Sequence, residues 1–447
     1  MIIRNTIWGV PLLLLILLCG IYYTVSLHLI QFKLHKSFAL MRRKSKAGSI
    51  STFQSVCTTI SSTIGTGNIV GVASSITLGG VGALFWMAVS AFFGMAIKYA
   101  EAVLAVKYRK QKDNAFIGGP FYYIRVAMKG RPILSNLFAV AGIMSAIWGI
   151  GATIQAKSFV GAIDNMLIGQ NQIFLPGGNS IGIVSLITLL LACLIISKVL
   201  SGGIKRIGRV TSILMPMFAG AYILFTSAIL INNIYKLPSA IISILTSALG
   251  FNAVSGGVAG YMIMLAMQNG IARGIFSNEA GLGSSPIAIA AVEDISPNDA
   301  GYSNMIGPFL DTLCICMLTG MCIVVTGANG ANLHGIELTA LAFERGLSLP
   351  YGIGNIVVCS CLALFSFTTI IGWSYYGEAC THYLFGKKAI AVYKRIYIIA
   401  AILSPLLSAE IVWPIADIFN GCMAIPNILA LILLSNQVIK EYKLSDN

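Results

Sequence analysis

Ser61-Ser62-Thr63-Ile64-Gly65-Thr66-Gly67-Asn68-Ile69-Val70-Gly71 lies in the middle of an otherwise apolar run, residues 49–78, that is long enough to cross a bilayer. Each glycine weakens a helix by about 1 kcal/mol relative to alanine, so this cluster predicts a helix that opens near its midpoint. Backbone that leaves the helix inside lipid must find partners in protein or in a water-filled cavity. Gly270-Ile271-Ala272-Arg273-Gly274-Ile275-Phe276-Ser277-Asn278-Glu279-Ala280-Gly281-Leu282-Gly283 has the same character within the run 256–292, and carries two charges. A close helix–helix contact of the small-xxx-small kind is the competing explanation for such glycines.

The rest of the 447-residue chain fits a membrane setting. It is 57% hydrophobic and 10% charged, with a mean hydropathy of +0.85, whereas soluble domains average about 25% charged residues. The 46 glycines and 13 prolines follow no Gly-X-Y period and sit in no polar low-complexity tract, which excludes collagen and disorder. Eleven apolar runs emerge: 6–30, 49–78, 83–108, 132–163, 179–200, 209–231, 256–292, 303–328, 350–385, 390–407 and 413–437. The first follows Arg4 but exceeds a signal-peptide core and lacks a small-x-small cleavage site, so it is expected to be retained.

The net charge of +14 would suggest a nucleic-acid partner in a soluble protein. Here it reports orientation. Lys33 to Lys46, Lys107 to Arg131, Lys205 to Arg209, Lys387 to Arg395, and Lys440 with Lys443 all fall on one side when the spans alternate, leaving almost only Arg4, Lys236 and Arg345 on the other. The positive-inside rule then places the N-terminus outside and the C-terminus in the cytoplasm, in a cell (inner) membrane. No nucleic-acid partner is expected. Nothing demands a second copy, and a monomer is consistent with the pattern.

Residues 49–231 and 256–437 each hold five runs, and each half opens with an interrupted one. The expected architecture is an all-α membrane protein of about 11 transmembrane helices. It comprises an extra N-terminal helix and basic loop (1–48), a first five-helix repeat (49–231), a second (256–437) and a cytoplasmic tail (438–447). A five-plus-five inverted repeat places its site between the two broken helices at the midplane. Freed N–H groups at Gly65-Thr66-Gly67 can hold a carboxylate. Freed carbonyls near Gly274-Ile275-Phe276 can receive an ammonium or a cation, so a zwitterionic amino acid suits both ends.

The run Ile64 to Ala73, with Phe85-Trp86-Met87, Gly94-Met95 and Glu101 to Arg109, resembles the alanine or glycine:cation symporter family. The likeness continues through Gly118-Gly119-Pro120, Gly202 to Ile207, Arg273 to Gly281, Asp311-Thr312, Ile371 to Glu378 and Ala424-Ile425-Pro426-Asn427. It covers about 49–437. It implies a leucine-transporter-type fold that imports alanine or glycine with Na+, or sometimes H+, and requires no catalytic cofactor.

Carried over residue by residue, the resemblance makes Thr66 and Gly67, with Asn68 beside them, substrate contacts at the first break. Gln155 becomes a further carboxylate or pocket contact, or else a polar interhelical hydrogen bond. Phe276 and Asn278 become side-chain and amino-group contacts, and Trp373 an aromatic wall limiting substrate size. For Na+, carbonyls near Ser61 and Ile64 with the hydroxyls of Thr368 and Thr369 form one expected site. Consecutive threonines also cap backbone in apolar helices. Asn68 and Asp311 suit a second cation, since a carboxylate inside a span is a functional candidate by default. Pairing of Asp311 with another polar group is the alternative. Arg273 and Glu279 are expected to act as gate or helix-end groups.

Three positions depart from the family pattern: Val81, Phe121 and Lys157. Lys157 lies about 200° around the helix from Gln155 and is expected to pair or snorkel away from the pocket. The competing possibility is that its ammonium substitutes for a cation. The ten cysteines lie in apolar runs and are expected to pack rather than chelate. The four histidines include no H-E-x-x-H, and there is no Walker A or G-x-S-x-G with triad partners, which argues against a membrane enzyme. A passive channel would not need two interrupted helices in matched halves. Glutamine or serine remain alternative substrates.

Overall fold

The computed structural model describes residues 9–43, 49–112, 115–167, 171–174, 180–250 and 256–446. Of the described residues, 82% are helical. Among the described residues eight helices are long and apolar enough to span a membrane, or nine if the pair Val10–Ser26 and Ile30–Met41, bent by 67°, counts as one span. The interrupted runs at 49–78 and 256–292 are not among them.

Helix α1 (Val10–Ser26) precedes the first interrupted run. That run is α2 (Thr52–Thr63) and α3 (Gly67–Gly79), the first turn of α3 being a π-helix over Gly67–Gly71. Helix α2 starts at a capping box, in which Ser51 Oγ accepts from Gln54 N–H (3.1 Å) and Gln54 Oε1 accepts from Ser51 N–H (3.2 Å). It stops where Ile64 turns extended (φ −76°, ψ 106°). Helix α4 (Ala83–Lys107) follows. Then come α5 (Ile133–Trp148) and α6 (Thr153–Met166), α7 (Ile183–Ser201) and α8 (Gly203–Asn232).

The expected span 132–163 is therefore itself interrupted. At 149–152 the backbone bonds reach back six residues, Gly151 N–H to Ser145 O (3.3 Å) and Ala152 N–H to Ala146 O (2.7 Å). Helix α9 (Leu237–Leu249) occupies part of the stretch between the two expected repeats. It begins with proline in its first turn.

Helix α10 (Gly256–Asn278) and the short α11 (Pro286–Ile289) form the second interrupted run. The break does not fall at Gly274-Ile275-Phe276 as the sequence suggested. Glu279 N–H still bonds Ile275 O (2.8 Å), so the helix runs on to Asn278. It opens where Glu279, Gly281 and Gly283 adopt φ of 58°, 89° and 77°, a region costly for residues with a Cβ. Gly270 and Gly274 serve contact instead. A Cβ at Gly270 would strike the Ala83 carbonyl and Trp86 Cβ, and one at Gly274 would strike Ser90 Oγ. Here the small-xxx-small explanation holds: these glycines let α10 lie closely along α4.

The chain continues through α12 (Pro297–Val325), π-helical over Phe309–Cys316. Helices α13 (Gly335–Gly346), α14 (Ile353–Phe385), α15 (Ile390–Leu403), α16 (Ala409–Leu433) and α17 (Ser435–Asp446) complete it. Helix α4 packs along α10 and α12, α14 along α5 and α6, and α2 between α8 and α14. These contacts surround both breaks with protein.

The basic clusters converge on one end. Lys33 Nζ donates to Tyr442 Oη (2.8 Å), Lys107 pairs with Glu441 (2.8 Å) and Arg43 with Asp299 (3.5 Å). At the same end Arg109 donates to the carbonyls of Ala290 (3.2 Å), Val292 and Glu293 (2.9 Å) beyond α11. Partial burial lowers the Arg109 pKa, and the carboxylates of Asp294 and Glu293 oppose that shift.

Candidate functional site

The first break is held open by three side chains, two of them from elsewhere in the fold and the third, Asn68, from the break's own second half. Thr369 Oγ1 on α14 lies 2.9 Å from Ile64 O, the carbonyl at the mouth of the break. Gln155 Oε1 on α6 accepts from Thr66 Oγ1 (2.8 Å) and from Thr66 N–H (3.3 Å). Asn68 Oδ1 accepts from Gly65 N–H (2.8 Å). Gly65 must be glycine for this convergence: a Cβ there would sit 2.7 Å from Thr369 Oγ1 and 3.0 Å from Gln155 Oε1. The freed donors of the break are thus met by side-chain oxygens, as burial demands.

Asn68 links this break to the second. Its Nδ2 donates to Asp311 Oδ1 (2.7 Å) and to the Asp311 carbonyl (3.1 Å). The other Asp311 carboxylate oxygen accepts from Ser277 Oγ (2.8 Å) and Thr312 Oγ1 (2.7 Å). Asn278 Nδ2 donates in turn to Thr312 Oγ1 (3.2 Å) while its Oδ1 accepts from Ala280 N–H (2.9 Å). Both Asn68 and Asp311 sit on π-helical turns, which widen the backbone and often mark functional positions. Gly67 is pressed against Ser277, where a Cβ would lie 3.2 Å from Ser277 Cα. Cys316 is an exception to apolar packing, its thiol lying 3.2 Å from Asn68 Nδ2 and 3.3 Å from Ser277 Oγ. All ten cysteines are free.

The residues expected around Na+ divide between two helices. Thr369 Oγ1 is 2.9 Å from both Ile64 O and Phe365 O, and Thr368 Oγ1 is 2.9 Å from Phe365 O. Both threonine hydroxyls thus meet the Phe365 carbonyl, a backbone contact that residue type cannot announce. Ser61 turns its hydroxyl back to Thr58 O (2.8 Å), but lies so close to α14 that a Cβ on Gly372 would come within 2.8 Å of its Oγ. Neutral hard oxygens from two helices suit a monovalent cation once the hydroxyl protons turn away. No cluster of three His, Cys, Asp or Glu able to hold a metal occurs among the described residues.

The second break has a scaffold of its own that sequence reasoning missed. Glu101 Oε1 on α4 accepts from the N–H groups of Gly281 (3.1 Å) and Gly283 (3.1 Å) and from Asn427 Nδ2 (2.7 Å) on α16. One turn away, Lys98 Nζ donates to Ser285 Oγ (2.6 Å). Both side chains are fully buried. Two charges three positions apart within an apolar run were the available signal.

Glu279 acts as a helix-end group: its carboxylate accepts from Trp373 Nε1 (2.8 Å) and from Ser284 Oγ. Trp373 is buried and tied to the break through this bond. Arg273 lies over the rings of Phe276 (5.7 Å) and Trp413 (5.5 Å), the two rings being 5.4 Å apart. Lys157 points away, donating to the Leu407 carbonyl (2.7 Å). At the basic end opens a cavity of about 460 Å³ lined by Ile50, Lys205, Glu293, Tyr375, Glu378 and His382, among others.

The sequence model of the sodium:alanine symporter family matches residues 1–446. The chain belongs to that family. The sodium/alanine symporter AgcS of Methanococcus maripaludis is 40% identical over 457 residues, covering 99% of this chain and 95% of AgcS. The probable sodium/glutamine symporter GlnT of Bacillus subtilis is 33% identical, over 99% of this chain and 89% of GlnT. Among solved structures, MhsT in complex with L-phenylalanine superposes with a TM-score of 0.58 at 15% identity, covering 90% of this chain and 99% of MhsT. The fold is thus of the leucine-transporter type, as expected. This member of the sodium:alanine symporter family is a multi-pass membrane carrier that couples an amino acid to a cation, and not an enzyme.

Proposed function

We propose that this carrier imports alanine or glycine together with Na+ across the cell membrane, with its N-terminus outside and its C-terminus in the cytoplasm. The observation that carries the proposal is the convergence at residues 64–66. Ile64 O faces the Thr369 hydroxyl, an oxygen pair suited to a cation, and two residues on, the Thr66 donors face Gln155. Cation and carboxylate would therefore share one turn of backbone, so each favours the geometry the other needs. Thr66, Gly67, Asn68 and Gln155 hold the carboxylate end. Phe276, Asn278 and Trp373 bound the remainder of a small pocket.

Na+ takes Ile64, Ser61, Thr368 and Thr369, to which we add the Phe365 carbonyl; Asn68 with Asp311 offers a second position for a cation. Residues 49–231 and 256–437 form the inverted repeats, supported by a broken helix at the start of each. The convergence of Lys33, Lys107 and the C-terminal helix at one end supports the orientation, and the cavity beside Glu378 gives released substrate a route to that side. Glutamine is the second reading, favoured by the likeness to GlnT.

The test is uptake into proteoliposomes across alanine, glycine, serine and glutamine, under an inward Na+ gradient or an inward H+ gradient alone. Accumulation of alanine or glycine that needs Na+ is expected. Accumulation of glutamine alone would move the substrate assignment, and accumulation driven by H+ without Na+ would overturn the coupling ion.

A further inference from the structure

Where α7 and α15 approach each other at the basic end, a groove of about 420 Å³ opens on the outer surface. Its two ends differ in chemistry. Ser201 and the exposed Arg395 line the shallow end. Ile398 and Ile399 lie one turn deeper on α15, with Ser197 one turn deeper on the facing helix. Between them Lys394 crosses the floor, donating to the Leu200 carbonyl (2.8 Å) on α7 and pairing with Glu378 (2.9 Å) on α14. Arg395 has no hydrogen bond or ion pair among the described residues, so its charge is unspent.

We propose that this groove binds an anionic phospholipid of the leaflet facing the basic end. The phosphate sits by Arg395 at the Ser201 end, and an acyl chain runs down over Ile398 and Ile399. Basic pockets between membrane helices on that side recognise anionic headgroups in this way. A phosphate gives Arg395 a bidentate partner, and the apolar depth of the groove selects a lipid over a soluble anion. Lys394 is already committed to two partners, and Ser201 Oγ donates to the Lys198 carbonyl (2.7 Å) and accepts from Arg206 (3.1 Å), so Arg395 supplies the selectivity. This inference rests on the membrane-spanning fold and not on the choice of amino acid.

The experiment uses the full-length protein in liposomes doped with phosphatidylglycerol or phosphatidylcholine carrying a photoreactive acyl chain, with labelled peptides identified by mass spectrometry. The expected result is that the peptide containing Ile398 and Ile399 is labelled by phosphatidylglycerol about fivefold more than by phosphatidylcholine, the factor one surface arginine supplies. Arg395→Gln brings the two to the same level, while Lys440→Gln on α17 leaves the preference intact. Because Arg395 is exposed and unpaired, its variant folds, and the melting temperature checks that. Equal labelling by the two lipids, or a preference that survives Arg395→Gln, means annular lipid only and overturns the proposal. Competition by millimolar glycerol phosphate overturns it in favour of a soluble anion.

Discussion

Gln155→Glu separates the two roles open to this residue. The substitution preserves shape and leaves an acceptor for Thr66 Oγ1 and N–H, now at 2.8 and 3.3 Å from Gln155 Oε1. Hydrogen bonds to an ionised group contribute about 1.5–3 kcal/mol against about 0.5–1.5 for neutral ones, which offsets part of the several kcal/mol that burying the new charge costs, so the variant should fold but be less stable. A substrate carboxylate held at the same N–H would then meet a second negative charge about 4 Å away. At an effective dielectric constant of about 20 that costs about 4 kcal/mol, close to a thousandfold in affinity.

The assay is equilibrium binding of radiolabelled alanine to the purified protein in Na+, alongside thermal unfolding of the same sample. Expected are a lowered melting temperature with folded protein retained and binding lost at neutral pH, with partial recovery of both in acid as the introduced carboxylate takes a proton and loses its charge. Binding within a few fold of the parent at neutral pH, in a folded variant, would refute the placement of the carboxylate at Thr66 and leave Gln155 as an interhelical tie only.

Thr369→Val removes the hydroxyl beside the Ile64 and Phe365 carbonyls and should raise the half-saturating Na+ concentration about tenfold or more, measured by uptake at saturating alanine. Gly274→Val forces a side chain onto Ser90 and should destabilise the protein by about 1–3 kcal/mol, read as a lower melting temperature without loss of cation selectivity. Glu101→Ala strands the N–H groups of Gly281 and Gly283 and the amide of Asn427, at about 1–3 kcal/mol each. Against a typical total stability of about 5–15 kcal/mol it should abolish folded protein, as judged by size-exclusion chromatography, whereas Glu101→Gln keeps an acceptor and should fold.

The first break was legible because its glycines stand among hydroxyl side chains in an apolar run. The second was misplaced by several residues because glycine answers two different demands. At 270 and 274 it removes bulk between α10 and α4; at 281 and 283 it permits a left-handed backbone. Composition does not distinguish these, and the deciding contacts lie on α4. The interruption at 149–152 had its own signal in Gly149 and Gly151, obscured by the apolar residues on both sides.

Asp311 stood out as a carboxylate within a span, and its pairing with Asn68 follows from two π-turns that residue order does not foretell. Lys98 and Glu101 carry a comparable signal, but nothing in their spacing says that they meet the backbone of the second break. The Phe365 carbonyl beside the two threonine hydroxyls could not be read at all, since a backbone contact leaves no mark in residue type.

A shuttle that moves cargo one way must also make the return trip vacant, and that leg is often the harder one in a medium without water. On the reading proposed above, Gln155 bonded to both Thr66 donors would act as a stopper that lets the unloaded carrier turn round with those donors satisfied. Arriving cargo would draw it aside, so a Gln155 variant without an acceptor is expected to exchange bound solute across the membrane while net uptake slows, because exchange never visits the unloaded form.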